Sequence, residues 1–282
     1  MGSFQLQRRS PALARRFRIC AYLLAALWLG VFLARTEFAI DGDEAIIGVM
    51  ATHIADGKDF PLWFYGQDYM GSLEAWVAAP LVAAFGTQRV VLKIVAALFW
   101  FAFLECSRRL ASRVFRSEPT ALVTMLLLAC GPLFLTLWGS KLRGGYVSVW
   151  ALGALTLLLA HYEGTERFSR MRSLSVGLVA GLATFVNVLS IPYTAAAILF
   201  LASRRRLFQP APLGLRVLGF VIGASPLIVF NVLSGFATFR AVGDHATSVA
   251  DVSHHLVQLL SHALPILLGG LAPFSLPSAC RE

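Results

Sequence analysis

Residues 8–34, RRSPALARRFRICAYLLAALWLGVFLA, decide how the rest of the chain is read. Arg8 to Arg18 form a basic segment, and Ile19 to Ala34 form an uninterrupted apolar run. A cleaved signal peptide would continue into a small-x-small site, and Leu33-Ala34-Arg35-Thr36 is a poor one. The run is therefore expected to remain as a signal anchor and first transmembrane helix, with residues 1–18 as a basic cytoplasmic N-terminus.

Composition extends this reading outward. The 282 residues are 57% hydrophobic and only 14% charged, and the mean hydropathy is +0.71. A soluble domain carries about 25% charged residues, so this chain lacks the polar surface to cover itself in water. Further apolar blocks run over Arg89 to Leu104, Ala121 to Trp138, Tyr146 to His161, Leu174 to Val188, Ile191 to Ala202 and Val217 to Leu233. Several are shorter than the ~20 residues of a straight span. The stretch around Asn187 to Pro192 reads as either a tight helical hairpin or one bent segment. The expected fold class is all-α: a polytopic transmembrane helical bundle with a long first outer loop containing juxtamembrane helices.

The net charge of +9 gathers in clusters at Arg8 to Arg18, Arg108 to Arg116, Arg167 to Arg172 and Arg204 to Arg206. If each block is one crossing, all four clusters fall on one side, which the positive-inside rule makes the cytoplasm. This punctuation argues against a nucleic-acid partner. Counting Ser72 to Gly86 as a crossing would break the agreement, so it is assigned as a juxtamembrane or re-entrant helix. Cys20, Cys106, Cys130 and Cys280 have neither metal-ligand nor disulfide-framework spacing.

Three polar segments then share the outer side: residues 36–72, Gly139 to Gly145, and a stretch from Phe236 that carries Arg240, Asp244, His245, Asp251, His254 and His255. His254 and His262 lie about two helical turns apart, too far for a compact metal pair. No metal site is expected. His161 and Asn187 read as packing or boundary residues.

The first outer loop opens with Asp41-Gly42-Asp43-Glu44-Ala45, with carboxylates at Asp41, Asp43 and Glu44. Such a concentration at a membrane surface calls for a reason. A helix is predicted over Glu44 to Ala55, with Ile46, Ile47, Met50 and Ile54 on the bilayer interface and Gly57 at its C-terminal end. One reading makes Asp43 its N-cap and Glu44 a first-turn charge complementing the helix dipole. The other makes them catalytic, and Asp41 stays unexplained by capping. Further on, Trp63, Phe64 and Tyr65 suit an interfacial aromatic belt, whereas Gln67, Asp68 and Glu74, framed by Gly66 and Gly71, do not.

Asp41-x-Asp43-Glu44-Ala45, followed by Tyr65-Gly66-Gln67-x-Tyr69-x-Gly71-Ser72-Leu73-Glu74, resembles the GT-C glycosyltransferase superfamily. Within it the chain is most similar to bacterial relatives of the dolichyl-phosphate-mannose–protein mannosyltransferases, over residues 15–235. The resemblance implies an enzyme of the bacterial inner membrane. Such an enzyme moves a sugar from a polyprenyl-phosphate carrier to a hydroxyl of a glycan, lipid or protein acceptor at the periplasmic face, with inversion and without a cofactor. It puts Asp43 at the catalytic acidic position, with Glu44 beside it. Asp41, Gln67, Tyr69 and Glu74 would line the acceptor or sugar site. Relatives carry a basic residue and consecutive prolines late in this loop, where this chain has Gln67-Asp68-Tyr69, so Lys141 and Arg143 are assigned to the carrier phosphate. Snorkelling at a helix end is the competing account of those two residues.

Relatives also continue with more spans or a soluble domain. Residues 19–235 are thus expected to form the transmembrane module, and 236–282 an outer loop with a partial further helix, cut short. The alternative function is non-enzymatic: a lipid-linked-sugar flippase or transporter, or an inactive truncated scaffold.

Overall fold

The computed structural model describes residues 11–238, 240 and 257–264. Asp244, His245, Asp251, His254, His255 and Cys280 lie outside them. The chain is mostly helical. Helix α1 (Pro11–Arg35) is followed by α2 (Gly42–Ala55), a two-stranded hairpin of β1 (Trp63–Phe64) and β2 (Gln67–Gly71), α3 (Leu73–Phe85) and α4 (Arg89–Phe115). Then come α5 (Glu118–Ala129), α6 (Leu133–Gly139), α7 (Tyr146–Thr165), α8 (Arg170–Val186), α9 (Ile191–Ser203), α10 (Pro210–Gly223) and α11 (Ser225–Leu233).

Among the described residues three helices are long and apolar enough to cross a membrane: Ala14–Arg35, Arg89–Phe115 and Tyr146–Thr165. The number rises to five if each bent pair counts as one span. Helix α1 shows how the apolar residues divide. Ala21, Ala25, Leu29 and Leu33 recur every fourth residue and are buried, while Leu23, Leu24, Leu27 and Val31 face outward and are exposed. In water that outer face would be unstable; against lipid it needs no cover. This is an integral membrane protein.

Two single apolar blocks of the sequence are each broken. Ala121 to Trp138 divides into α5 and α6, bent by 78°, and Val217 to Leu233 into α10 and α11, bent by 65°. Pro132 and Pro226 explain the breaks, because proline lacks the N–H that an uninterrupted helix needs. The stretch at Asn187 is also broken: α8 stops at Val186, Asn187 is extended, and a 3₁₀ turn, Val188–Ser190, leads into α9. Helix α3 has 13 residues, about 20 Å, which is too short for a ~30 Å hydrocarbon core.

The closest helix–helix contact has a signal visible in the sequence. Gly177 and Gly181 of α8 face Gly219 and Gly223 of α10, each pair spaced as small-xxx-small. A Cβ on Gly177 would stand 1.9 Å from the Arg216 carbonyl oxygen, and one on Gly219 would stand 2.2 Å from that of Leu174. Backbone lies directly on backbone, which in lipid maximises dispersion contact where no hydrophobic drive exists between helices.

Described members of all four basic clusters meet at one end of the bundle, interleaved with acids. Arg108 binds Glu105 at 2.9 Å and Glu118 at 2.7 Å, and Arg18 approaches Glu118 at 3.8 Å. Glu166 takes Arg113 and Arg172, each at 2.8 Å, and Arg216 donates to the carbonyls of Arg206 and Leu207.

Replacing Gly181 with Leu should separate α8 from α10 and cost about 3 kcal/mol or more, since backbone rather than a flexible side chain obstructs the new atoms. Gly30→Leu, where a Cβ meets nothing within 4 Å, should be close to neutral. Thermal unfolding of both variants in detergent tests the contrast.

Candidate functional site

At the opposite end lies the start of α2. Asp41, not Asp43, is its N-cap: the backbone is extended (φ −106°, ψ −175°) and Oδ1 accepts the Glu44 N–H at 3.1 Å. The other oxygen is engaged as well. Oδ2 accepts from Lys141 Nζ at 2.9 Å, from Arg143 Nε at 2.7 Å, and from Arg143 Nη2. Capping and ion pairing together account for the residue that the sequence left unexplained. Burial alone would raise the Asp41 pKa, but hydrogen bonds from Lys141, the Glu44 amide and Arg143 outweigh it and bring it down to about 2. Two cations share one carboxylate oxygen, so the trio carries one net positive charge.

Lys141 and Arg143 sit in the turn between α6 and α7, which is held from several sides. Leu142 between them is fully buried and anchors the turn. The Arg143 guanidinium lies over the Trp138 ring, 4.7 Å from its centroid. Gly144 and Gly145 follow at φ +66° and +106°, a conformation that glycine adopts without the steric cost of a Cβ. Asn187 Nδ2 donates to the Gly144 carbonyl at 3.1 Å, and Asn187 also forms a β-bridge with Met70 of the hairpin.

Glu74 supports the turn from behind. It is fully buried, and Oε1 accepts from Ser148 Oγ at 2.9 Å. Oε2 is buried without a hydrogen-bond partner. Burial raises its pKa to about 7, against the opposing pull of the Ser148 hydroxyl and the amides of Gly145, Ser148 and Gly144. The position corrects the expectation that Glu74 lines a sugar or acceptor surface, since its carboxylate faces the protein interior.

Glu44 is likewise interior. Its two oxygens accept from Lys93 Nζ of α4 at 2.6 and 2.8 Å, and both side chains are buried. Burial raises the Glu44 pKa, with Lys93 opposing. Breaking such a pair on one side costs about 3–5 kcal/mol, so it rivets α2 to α4. Its burial departs from the open catalytic carboxylate expected at this position. The predicted lipid-facing stripe is also corrected: Ile47 and Met50 are fully buried, and Ile46 and Ile54 are partly buried against the same core. Gly57 does follow the helix end at φ +67°, with the Lys58 amide donating to the His53 carbonyl at 2.9 Å.

Asp43 is the acidic residue left open, exposed on the first turn of α2 two residues from Asp41. Gln67 and Tyr69 lie on β2, both half-buried; Gln67 Oε1 is buried with no hydrogen-bond partner, and Tyr69 packs on the core. Residues 63–71 form a hairpin rather than the loop read from sequence. A further polar chain lies along this loop: His53 Nδ1 to Tyr65 Oη at 2.9 Å, and Tyr65 Oη donating to Asp59 at 2.6 Å. Burial and the Asp59 carboxylate raise the Tyr65 pKa to about 12.

The structure thus joins Asp41 to Lys141 and Arg143, and fixes Glu74 behind the same turn. Glu44 leads instead to Lys93. Lys93 and Ser148 went unread in the sequence, although a lone lysine inside the apolar block Arg89 to Leu104 is itself a sign of a buried partner. Asn187 is the packing and boundary residue the sequence suggests. No family model, curated protein or solved structure matches the chain.

Replacing Asp41 with Asn should keep the cap but leave Lys141 and Arg143 unpaired. The Asp41 pKa falls from 3.8 to about 2 on folding, so the carboxylate adds on the order of 2 kcal/mol above pH 4, lost as pH falls through 3.8 toward 2. The Asn variant should lose that increment at neutral pH, measured as a lower unfolding midpoint. Glu74 has the opposite sign. Its pKa rises on folding from 4.5 to about 7, so stability should fall as pH rises between those values, by on the order of 3 kcal/mol. Unfolding midpoints from pH 4 to 8 should show that slope in the wild type and its loss in Glu74→Gln.

Proposed function

We propose that the protein is a glycosyltransferase that moves a sugar from a polyprenyl-phosphate carrier to an acceptor hydroxyl at the outer face of the membrane. One observation carries the reading. An exposed carboxylate, Asp43, stands on the same first helical turn as Asp41, whose other oxygen gathers Lys141 and Arg143 from 100 and 102 residues away. Positioned base and cations are what transfer from a lipid phosphate requires. The gathering of the described basic residues at the opposite end supports the orientation through the positive-inside rule: in this reading that end is cytoplasmic, and the Asp41 end faces the periplasm of a bacterial inner membrane.

In the proposed reaction the acceptor oxygen attacks the anomeric carbon from the face opposite the phosphate. The bond from that carbon to the phosphate oxygen breaks as the new glycosidic bond forms, which inverts the configuration. Asp43 takes the hydroxyl proton. The departing polyprenyl phosphate gains negative charge, which the net positive trio of Lys141, Arg143 and Asp41 stabilises. Glu44 acts as a positioning residue through Lys93, and Glu74 through the 144–148 turn. Gln67, with its unpaired buried oxygen, and Tyr69 are assigned to the neighbouring sugar or acceptor surface. The broken pair α5–α6 favours the rival, a lipid-linked-sugar flippase, because transporters use interrupted helices.

The test uses purified protein in liposomes with a polyprenyl-phosphate sugar and a hydroxyl acceptor. Asp43→Asn should fold normally and lower the transfer rate about 10²–10⁴-fold, and Lys141→Ala with Arg143→Ala should weaken donor use. Undiminished transfer by the Asp43 variant would remove it from the chemistry. Carrier crossing the bilayer with no glycosidic bond formed would establish the flippase instead.

A further inference from the structure

At the basic end, far from Asp41, a polar cavity of about 650 Å³ opens where α4, α7 and α9 terminate. Its walls include Arg113, Arg116, His161, Glu166, Phe200 and Arg204. The charges there are unequal in their commitments. Arg113 is spent on Glu166 at 2.8 Å and on the Tyr162 ring, 3.8 Å from its centroid. Glu166 is already shared with Arg172. Arg116 and Arg204 are exposed, and neither has a carboxylate partner among the described residues. Arg204 rests over the Phe200 ring at 5.3 Å, and His161 stacks with the same ring at 5.4 Å, its Nδ1 buried without a hydrogen-bond partner.

Three helix C-termini supply partial negative charge, which accounts for some basic character here. It does not account for an open polar cavity lined by two guanidinium groups that have no carboxylate partner among the described residues, a lining suited to an anion. Depth decides the kind of anion. The cavity lies at the last turn of two helices long enough to cross a membrane. Its lining includes Val114 at 54% exposure, with its chain neighbour Phe115 at 59% and Leu199, the chain neighbour of the lining residue Phe200, at 70%. Such apolar rims accommodate acyl chains, while guanidinium forks match phosphate oxygens.

We infer that this cavity binds the phosphodiester headgroup of an anionic phospholipid of the leaflet at the basic end, held chiefly by Arg116 and Arg204. The site is independent of the sugar-transfer reading, and neither arginine belongs to the machinery assigned above.

Native mass spectrometry of the full chain in detergent, titrated with phosphatidylglycerol, phosphatidylcholine or inorganic phosphate, tests it. One phosphatidylglycerol should bind about tenfold or more tightly than phosphatidylcholine. Arg116→Ala with Arg204→Ala should abolish that preference, and Arg116→Lys with Arg204→Lys should retain most of it. Arg113 stays in place because it holds Glu166. Equal phosphatidylglycerol binding by the wild type and the alanine variant would overturn the assignment. Saturation by millimolar phosphate with no lipid preference would also overturn it, in favour of a soluble anion.

Discussion

The Asp41 carboxylate is the constraint on which the end of this protein opposite the basic clusters depends. One oxygen caps the helix start, and the other accepts from a lysine and an arginine two residues apart and offsets one of their two charges. Without that anion, two like charges would share a tight turn in a setting only partly open to water, and each would swing outward to be hydrated. With it, the turn has a fixed shape and the start of α2 has a fixed place. The remaining ties, Glu74 through Ser148 and Asn187 through Gly144, hold the same turn from its inner side. None of them supplies opposite charge at the cations.

Charge is sorted along the bundle in a way the bilayer explains. The middle of the protein buries few ionisable groups; toward the Asp41 end these are the Glu44–Lys93 ion pair and Glu74, whose raised pKa favours its neutral form. An unpaired charge there would be far costlier than a matched one. The basic end tolerates many arginines because Glu105, Glu118 and Glu166 are distributed among them. Where that distribution runs short, at Arg116 and Arg204, a cavity lies open.

Rigidity has two sources. Around α8 and α10 it comes from bare backbone contact at four glycines, which suits a lipid environment where side-chain burial gives little advantage. Around α2, α3 and α4 it comes from a packed apolar core, with Ile47, Met50, Leu92 and Val95 fully enclosed, tied by one buried ion pair. The second arrangement holds residues 42–85 as part of the bundle rather than as a loop lying on the membrane.

By itself the sequence determined the membrane environment, the approximate place of the helices and the residues worth testing. Long apolar blocks and clustered arginines act through local composition, which needs no knowledge of neighbours. Proline breaks within the blocks and the glycine spacing on α8 and α10 were also written there, but an apolar run masks both. Only the tertiary structure decided which acid meets which base. Asp41, Asp43 and Glu44 are adjacent in sequence and chemically alike, yet one pairs with residues a hundred positions away, one stays open, and one is buried against Lys93. Helical rotation of about 100° per residue sends each carboxylate to a different side, and what waits on each side is fixed by packing between distant segments, which no local pattern encodes.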